Sequence, residues 1–338
     1  ELLVDWADAF EKANSVITSR MDDTGKATLF RAIRFINKEN RPVIIELSIP
    51  LFTEKMGATG RADILKAQYE CVFDSSEASP VITEKMTGES RAVIIRTFHK
   101  IAKDDRQDVR EEAIPFLTQE MDGPRVAAIS EAIHATGEER QEVLAASRLL
   151  LGKKLHQIDG YEIATTIRGV LEVKNQWVRR ESIALAESFY SACNATTHEK
   201  LAIFKAVTKI NGDKTSITAN TNRLVVPGMN GAGIIKLLAA VDKCGAQAQL
   251  VTDWVISFLN EGMRSVCDRE TIVNTVRDIV LQYFNWKQIF EIAQSKMSDT
   301  MGSSDIAKIL KEEAAKIGCY YLKDNVESIV DGMEKIAI

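Results

Sequence analysis

Val109-Arg110-Glu111-Glu112-Ala113-Ile114-Pro115-Phe116-Leu117-Thr118-Gln119-Glu120-Met121 has a near-copy upstream, Ile44-Ile45-Glu46-Leu47-Ser48-Ile49-Pro50-Leu51-Phe52-Thr53-Glu54-Lys55-Met56. A shorter echo, Pro80-Val81-Ile82-Thr83-Glu84-Lys85-Met86, lies between them, and Pro50, Pro80 and Pro115 stand 30 and 35 residues apart. Downstream, Val143 and Val178 open related apolar segments at steps of 34 and 35 residues. A period of this size marks a helical repeat array. Val109, Ala113, Phe116 and Leu117 form one apolar stripe at helical spacing. Two short helices cannot bury such a stripe between themselves, so neighbouring units must stack into a continuous core. A proline inside this pattern lacks a donor and clashes with the preceding turn, which predicts a kink or a helix start.

Taken in order, the chain reads as helices over Leu2–Thr18, Ala27–Asn37, Val43–Met56, Arg61–Phe73, Ser90–Ala102 and Asp108–Met121. Pro124–Ala135, Glu138–Leu151, Tyr161–Val173, Trp177–Cys193 and a helix capped by Thr197 follow. Residues 211–230 are rich in Asn, Thr, Gly and Ser, and predict a boundary loop. Beyond them, 231–338 reads as longer helices of no fixed period, the last over Asp324–Ile336. The expected fold is therefore all-α, an α-solenoid of antiparallel helix pairs. Repeats fill 1–210 and an irregular, armadillo-like half fills 231–338.

The composition agrees with this. Of 338 residues, 45% are hydrophobic and 27% charged, ordinary values for a globular chain. A net charge of −5 argues against a dedicated nucleic-acid binder, though not against a local basic face. Five scattered cysteines without a Cys-x-x-Cys pair suit a reducing, intracellular setting. No apolar run is long enough to cross a bilayer. The opening residues carry acids rather than a basic leader, so no signal peptide is expected; the absence of an initial methionine points to a trimmed, longer protein.

No catalytic constellation stands out. Gly228-Met-Asn-Gly-Ala-Gly233 has the end glycines of a phosphate loop, but Ile234-Ile235 replaces the Lys-Ser/Thr, leaving a glycine-rich turn into a helix. His99, His134, His156 and His198 never fall at a metal-binding spacing. Adjacent pairs such as Glu111-Glu112 point apart on a helix and cannot work as an acid–base couple. No enzyme, cofactor or metal is expected. Two basic spots remain, Lys153-Lys154 and Arg179-Arg180. Either they are ordinary helix-end charges, or successive repeats align them on one concave surface that binds an acidic peptide or RNA.

Several segments resemble the apoptosis inhibitor five family. Leu29-Phe30-Arg-Ala-Ile-Arg-Phe-Ile-Asn-Lys-Glu-Asn, Ser48-Ile49-Pro50-Leu51-Phe52 and Ile64-Leu65-Lys66-Ala67-Gln68-Tyr69 are similar to its opening repeats in the same order. Trp177-Val-Arg-Arg-Glu-Ser-Ile-Ala, Thr197–Lys205 and Val226-Pro227-Gly-Met-Asn-Gly resemble later helices and the loop that opens its second half. The likeness spans about Lys26 to Met301. It implies HEAT repeats joined to an armadillo-like half and a nuclear, anti-apoptotic scaffold, with the cytoplasm left open as a location. It also implies protein partners such as an acinus-like factor or a DEAD-box RNA helicase. The acidic segment that relatives carry is replaced here by Ser191–Thr196, which argues against their growth-factor contact. Neither a basic tail nor a leucine zipper after Leu250 is present.

Overall fold

The computed structural model describes residues 2–71, 78–152 and 155–317, the side chains of 2–5 apart. Among them there is no strand, and the chain is all-helical. It divides into two compact units, Glu1–Glu172 and Val173–Ile338. The first holds α1 (Leu2–Asn14), α2 (Asp23–Phe35), α3 (Arg41–Ser48), α4 (Ala58–Cys71) and α5 (Gly88–Lys100). It continues with α6 (Arg106–Ala113), α7 (Gly123–His134), α8 (Arg140–Leu151) and α9 (Gly160–Leu171). The second holds α10 (Gln176–Cys193), α11 (Thr197–Thr208), α12 (Lys214–Leu224), α13 (Gly231–Asp242) and α14 (Ala248–Phe258). It ends with α15 (Val266–Gln282), α16 (Trp286–Ser295) and α17 (303–317). No described helix is long and apolar enough to cross a membrane. The expected helix at Asp324–Ile336 and the basic pair Lys153-Lys154 lie outside the described residues.

Each unit is built in two layers. In the first, α2, α4, α5, α7 and α9 pack side by side in that order, and α1, α3, α6 and α8 lie against them. In the second, α11, α13 and α15 form one row and α10, α12 and α14 the other. We call these leading (α1, α3, α6, α8, α10, α12, α14, α16) and trailing (α2, α4, α5, α7, α9, α11, α13, α15, α17) helices. The cores between the layers are aliphatic and aromatic, with Phe98, Phe116 and Ile163 enclosed in the first unit and Phe189, Phe204 and Phe290 in the second.

The trailing helices keep one rhythm through both units, beginning at residues 23, 58, 88, 123, 160, 197, 231, 266 and 303. Seven of these starts are capped by a side chain that accepts a backbone N–H: Asp22, Thr87, Asp122, Asp159, Thr196, Asn230 and Ser265. Each such cap stabilises its helix by about 1 kcal/mol. This corrects two expectations. The half beyond 231 does have a period, carried by cap chemistry rather than by a recognisable motif. The cap of α11 is Thr196, not Thr197: its hydroxyl accepts from Glu199 N at 3.3 Å, and Glu199 Oε2 accepts from Thr196 N at 3.0 Å.

The three prolines neither kink a helix nor start a full one. Pro50, Pro80 and Pro115 each sit second in a 3₁₀ turn, Ile49–Leu51, Ser79–Val81 and Ile114–Phe116. In the first and last of these turns, which directly follow α3 and α6, the missing N–H ends the α-helical ladder. Nor is 211–230 a boundary loop: α12 runs through it, and the units part at residue 172. Asp213 caps α12, and Ile217 and Leu224 bury against the core. Two of its polar side chains bond back within the helix, Thr221 Oγ1 donating to Ile217 O at 2.8 Å and Asn220 Nδ2 to Ser216 O at 2.9 Å.

Buried arginines join the repeats. The fourth helical residue of α4, α5 and α15 is Arg61, Arg91 and Arg269. Arg61 donates to Met56 O at 3.4 Å and to Val16 O at 3.0 Å. Arg91 donates to Met86 O at 3.2 Å and to Leu51 O at 2.6 Å. Arg269 donates to Met263 O at 3.1 Å and to Leu224 O at 3.0 Å. Each guanidinium thus spans from its own turn to the end of the leading helix one repeat back (α1, α3 and α12, respectively), where unpaired carbonyls and the helix dipole favour a cation. Burial pulls all three below the ordinary arginine pKa. A second device opens the leading helices. Arg41 Nε donates to Ile33 O and Ile36 O, and Arg106 Nε donates to Phe98 O and Ile101 O. These are the same two positions relative to each arginine, closing the end of the trailing helix before it.

Candidate functional site

Arg179, one of the residues expected to face a partner, is 1% exposed. Asn175 caps α10 through Trp177 N and Val178 N, and this turns Arg179 inward. Its Nε donates to Val173 O at 2.6 Å and its Nη2 to Lys174 O at 3.4 Å, so it fastens the turn that precedes α10. The binding role expected for Arg179 does not fit an enclosed side chain. Arg180, the next residue, is exposed. Adjacent helical residues point about 100° apart, so the pair cannot act as one patch.

The exposed charge lies elsewhere, on the trailing helices. Eight residues beyond the first residue of α2, α4, α5, α7 and α9 stand Arg31, Lys66, Arg96, Glu131 and Arg168. All five are exposed or half-buried. Two ion pairs bridge neighbouring helices along this row, Arg96–Glu70 at 2.8 Å and Arg168–Glu131 at 3.7 Å. Between α5, α7 and α9 the row opens into a cleft of about 440 Å³, with Arg96, Lys100, Glu131, Tyr161 and Arg168 at its wall and Val93, Pro124, Ala127 and Ala128 along its floor.

The rim of this cleft is firmly set. Arg125 reaches Asp159 with Nε and Asp122 with Nη1, the latter at 2.7 Å, and lies over the Tyr161 ring at 5.5 Å from its centroid. The hydrogen bond from Arg125 holds Asp159 below the usual carboxylate range. Arg125 is therefore committed to the fold. Arg96, Arg168 and Lys100 keep access to solvent. Lys100 enters no ion pair among the described residues.

The first unit carries two further features. Trp6, Phe10, Ile17 and Phe30 line an apolar cleft of about 730 Å³ at the α1–α2 face, with the Arg34 guanidinium 4.5 Å from the Trp6 ring centroid. Asp105 accepts from Arg140 and pairs with His134 Nδ1 at 2.6 Å. Burial raises the Asp105 pKa, but the hydrogen bonds from Arg140 and His134 outweigh it and leave it below its ordinary value. Arg140 is the first residue of α8, so this cluster ties α6 to α7 and α8. No group of three or more His, Cys, Asp or Glu side chains among the described residues could hold a metal ion.

No protein-family model, curated protein or solved structure matches the chain. The row on the trailing helices was missed in the sequence because its members stand 30 to 37 residues apart, each amid unrelated neighbours. The one usable signal was the cap residue nine places upstream of four of them, Asp22, Thr87, Asp122 and Asp159, which fixes the register.

Proposed function

We propose that this chain is a non-enzymatic scaffold, each unit a HEAT/armadillo-like solenoid of antiparallel helix pairs that binds protein partners along its trailing helices. The observation that carries this reading is the position-matched row Arg31, Lys66, Arg96, Glu131 and Arg168, presented by five helices that pack in sequence. Stacked repeats of this kind offer an extended surface on which each unit supplies one contact. The resemblance to the apoptosis inhibitor five family points the same way. It supports a nuclear, anti-apoptotic setting and partners such as an acinus-like factor or a DEAD-box RNA helicase.

Cross-linking of the full chain in cell extract, read by mass spectrometry, tests this. Cross-links to partner proteins are expected to gather at trailing-helix lysines such as Lys66 and Lys100. Clean turnover of a substrate, or cross-links spread without regard to the trailing helices, would overturn it.

A second reading, an RNA-binding repeat protein in RNA processing or export, draws on the four cations of the same row. It predicts affinity for a labelled RNA that falls steeply with salt, with a slope flattened when Lys66, Arg96 and Arg168 are neutralised. Lys153, Lys154 and Arg180 belong in the same variant set. The carboxylates of Glu70 and Glu131 lie against the arginines of the row and make it the weaker reading.

A further inference from the structure

Resting on the scaffold reading, we infer that the cleft between α5, α7 and α9 docks an acidic segment of a partner protein, two carboxylate groups straddling one aliphatic side chain. The charge of the wall argues for the acid. Arg96, Lys100 and Arg168 face one lining carboxylate, Glu131. The pairs that Arg96 and Arg168 make are half exposed at both ends, 40% and 48% for Arg96–Glu70 and 51% and 49% for Arg168–Glu131. Exposed pairs of this kind contribute little, so an incoming carboxylate can take over either arginine. Lys100 lies one helical turn beyond Arg96, which doubles the positive charge at that end of the cleft.

The spacing argues for the length. Arg96 and Arg168 stand on helices two places apart in the row, about 18 Å at the 8–10 Å of ordinary helix packing. An extended backbone covers that in about six residues. Between them, the small side chains of Ala127 and Ala128 on α7 leave apolar surface against which one aliphatic side chain can rest. RNA fits less well. Glu131 sits where a phosphate would pass, and Tyr161, the aromatic ring lining the cleft, already has Arg125 over one face.

Fluorescence anisotropy on the full chain tests this with a labelled peptide of about eight residues, Glu-Glu at each end and a central Leu between glycines. Binding is expected, weakened about tenfold by the combined changes Arg96→Gln, Lys100→Gln and Arg168→Gln, three modest charge contacts summed. Arg180→Gln should leave it unchanged. Should the triple variant fail to fold, Ala128→Trp fills the floor without touching a charge and is expected to cause the same loss.

Equal binding by the parent and Ala128→Trp, or no binding at about 1 mM peptide, overturns the inference. Tighter binding of a single-stranded RNA, lost in the same triple variant, also overturns it. Failure of the peptide while cross-links still gather on the trailing helices removes the acidic segment and spares the scaffold reading. Cross-links with no such preference remove the scaffold reading itself.

Discussion

Arg91→Met asks directly whether the buried arginines hold successive repeats together. The guanidinium makes short bonds to Leu51 O at 2.6 Å and Thr83 O at 2.8 Å, and longer ones to Met86 O at 3.2 Å and Glu84 O at 3.3 Å. Counting only the two short bonds at about 1.5–3 kcal/mol each gives roughly 3–6 kcal/mol. Against this stands the cost of burying the cation, visible as a lowered pKa caused by desolvation. Methionine removes that cost and nearly keeps the volume, but it strands the carbonyl of Leu51, a residue 2% exposed. An unsatisfied buried carbonyl costs about 1–3 kcal/mol. The net expectation is a loss of about 2–4 kcal/mol, since one partner is removed from a buried charged network rather than the whole network being replaced.

A chain of two units need not unfold in a single step, so the assay should be local. Native-state hydrogen exchange across α4 and α5, followed by mass spectrometry, should speed up by roughly 30- to 1,000-fold. Arg91→Lys keeps the charge but cannot span Leu51 and Thr83 with one ammonium, and should fall between the two. A change below about 0.5 kcal/mol in Arg91→Met would refute the reasoning. It would mean that the carbonyls find water, and that the repeated arginine geometry accompanies the stack without supporting it.

Gly88→Ala should lower the stability of the first unit by about 3 kcal/mol or force α4 and α5 apart, because the added Cβ would meet Gly60 Cα at 2.2 Å. Gly57→Ala, with nothing within 4 Å, should cost under about 1 kcal/mol, and thermal unfolding of the two variants distinguishes them. Asp105 has a depressed carboxyl pKa in the fold, so its contribution is present above its unfolded value near 3.9 and is lost as pH falls through the lower folded value. Asp105→Asn should therefore remove part of the acid sensitivity below about pH 4 in a pH series of urea unfolding, and an unchanged acid slope would exclude this role. Arg179→Gln should weaken the second unit by about 1–3 kcal/mol while leaving partner cross-links in place, whereas Arg180→Gln should leave stability unchanged.

The first-unit repeat was legible because Ile-Pro-Leu-Phe-Thr-Glu-Lys-Met and its copies keep their letters. The second-unit repeat was not, because its physics is kept while its letters change. Thr196, Asn230 and Ser265 all accept a backbone N–H at the start of a helix and are nearly interchangeable there. A search for motifs sees three unrelated residues. Residues 211–230 misled for the opposite reason. Their Asn, Thr and Ser content has low helix propensity, yet α12 forms because propensity is a weak term beside the burial of Ile217 and Leu224.

The candidate site shows a related limit, and its cause is positional. In the sequence only Arg179, beside Arg180, stood out among Arg61, Arg91, Arg96, Arg168 and Arg179. In the fold their fates follow from their distance to a helix start. An arginine at the fourth helical position points back toward its own turn and the carbonyls that end the leading helix one repeat back, as Arg61 and Arg91 do, or fastens its own turn, as Arg179 does. An arginine eight residues past the first has left the turn behind and meets only the flank of the neighbouring helix, as Arg96 and Arg168 do. The −5 net charge cannot express this division, because it counts the enclosed cations together with the exposed ones. Register within the helix therefore separates a cation that builds the stack from one that a partner can reach, and register becomes readable once the caps have been found.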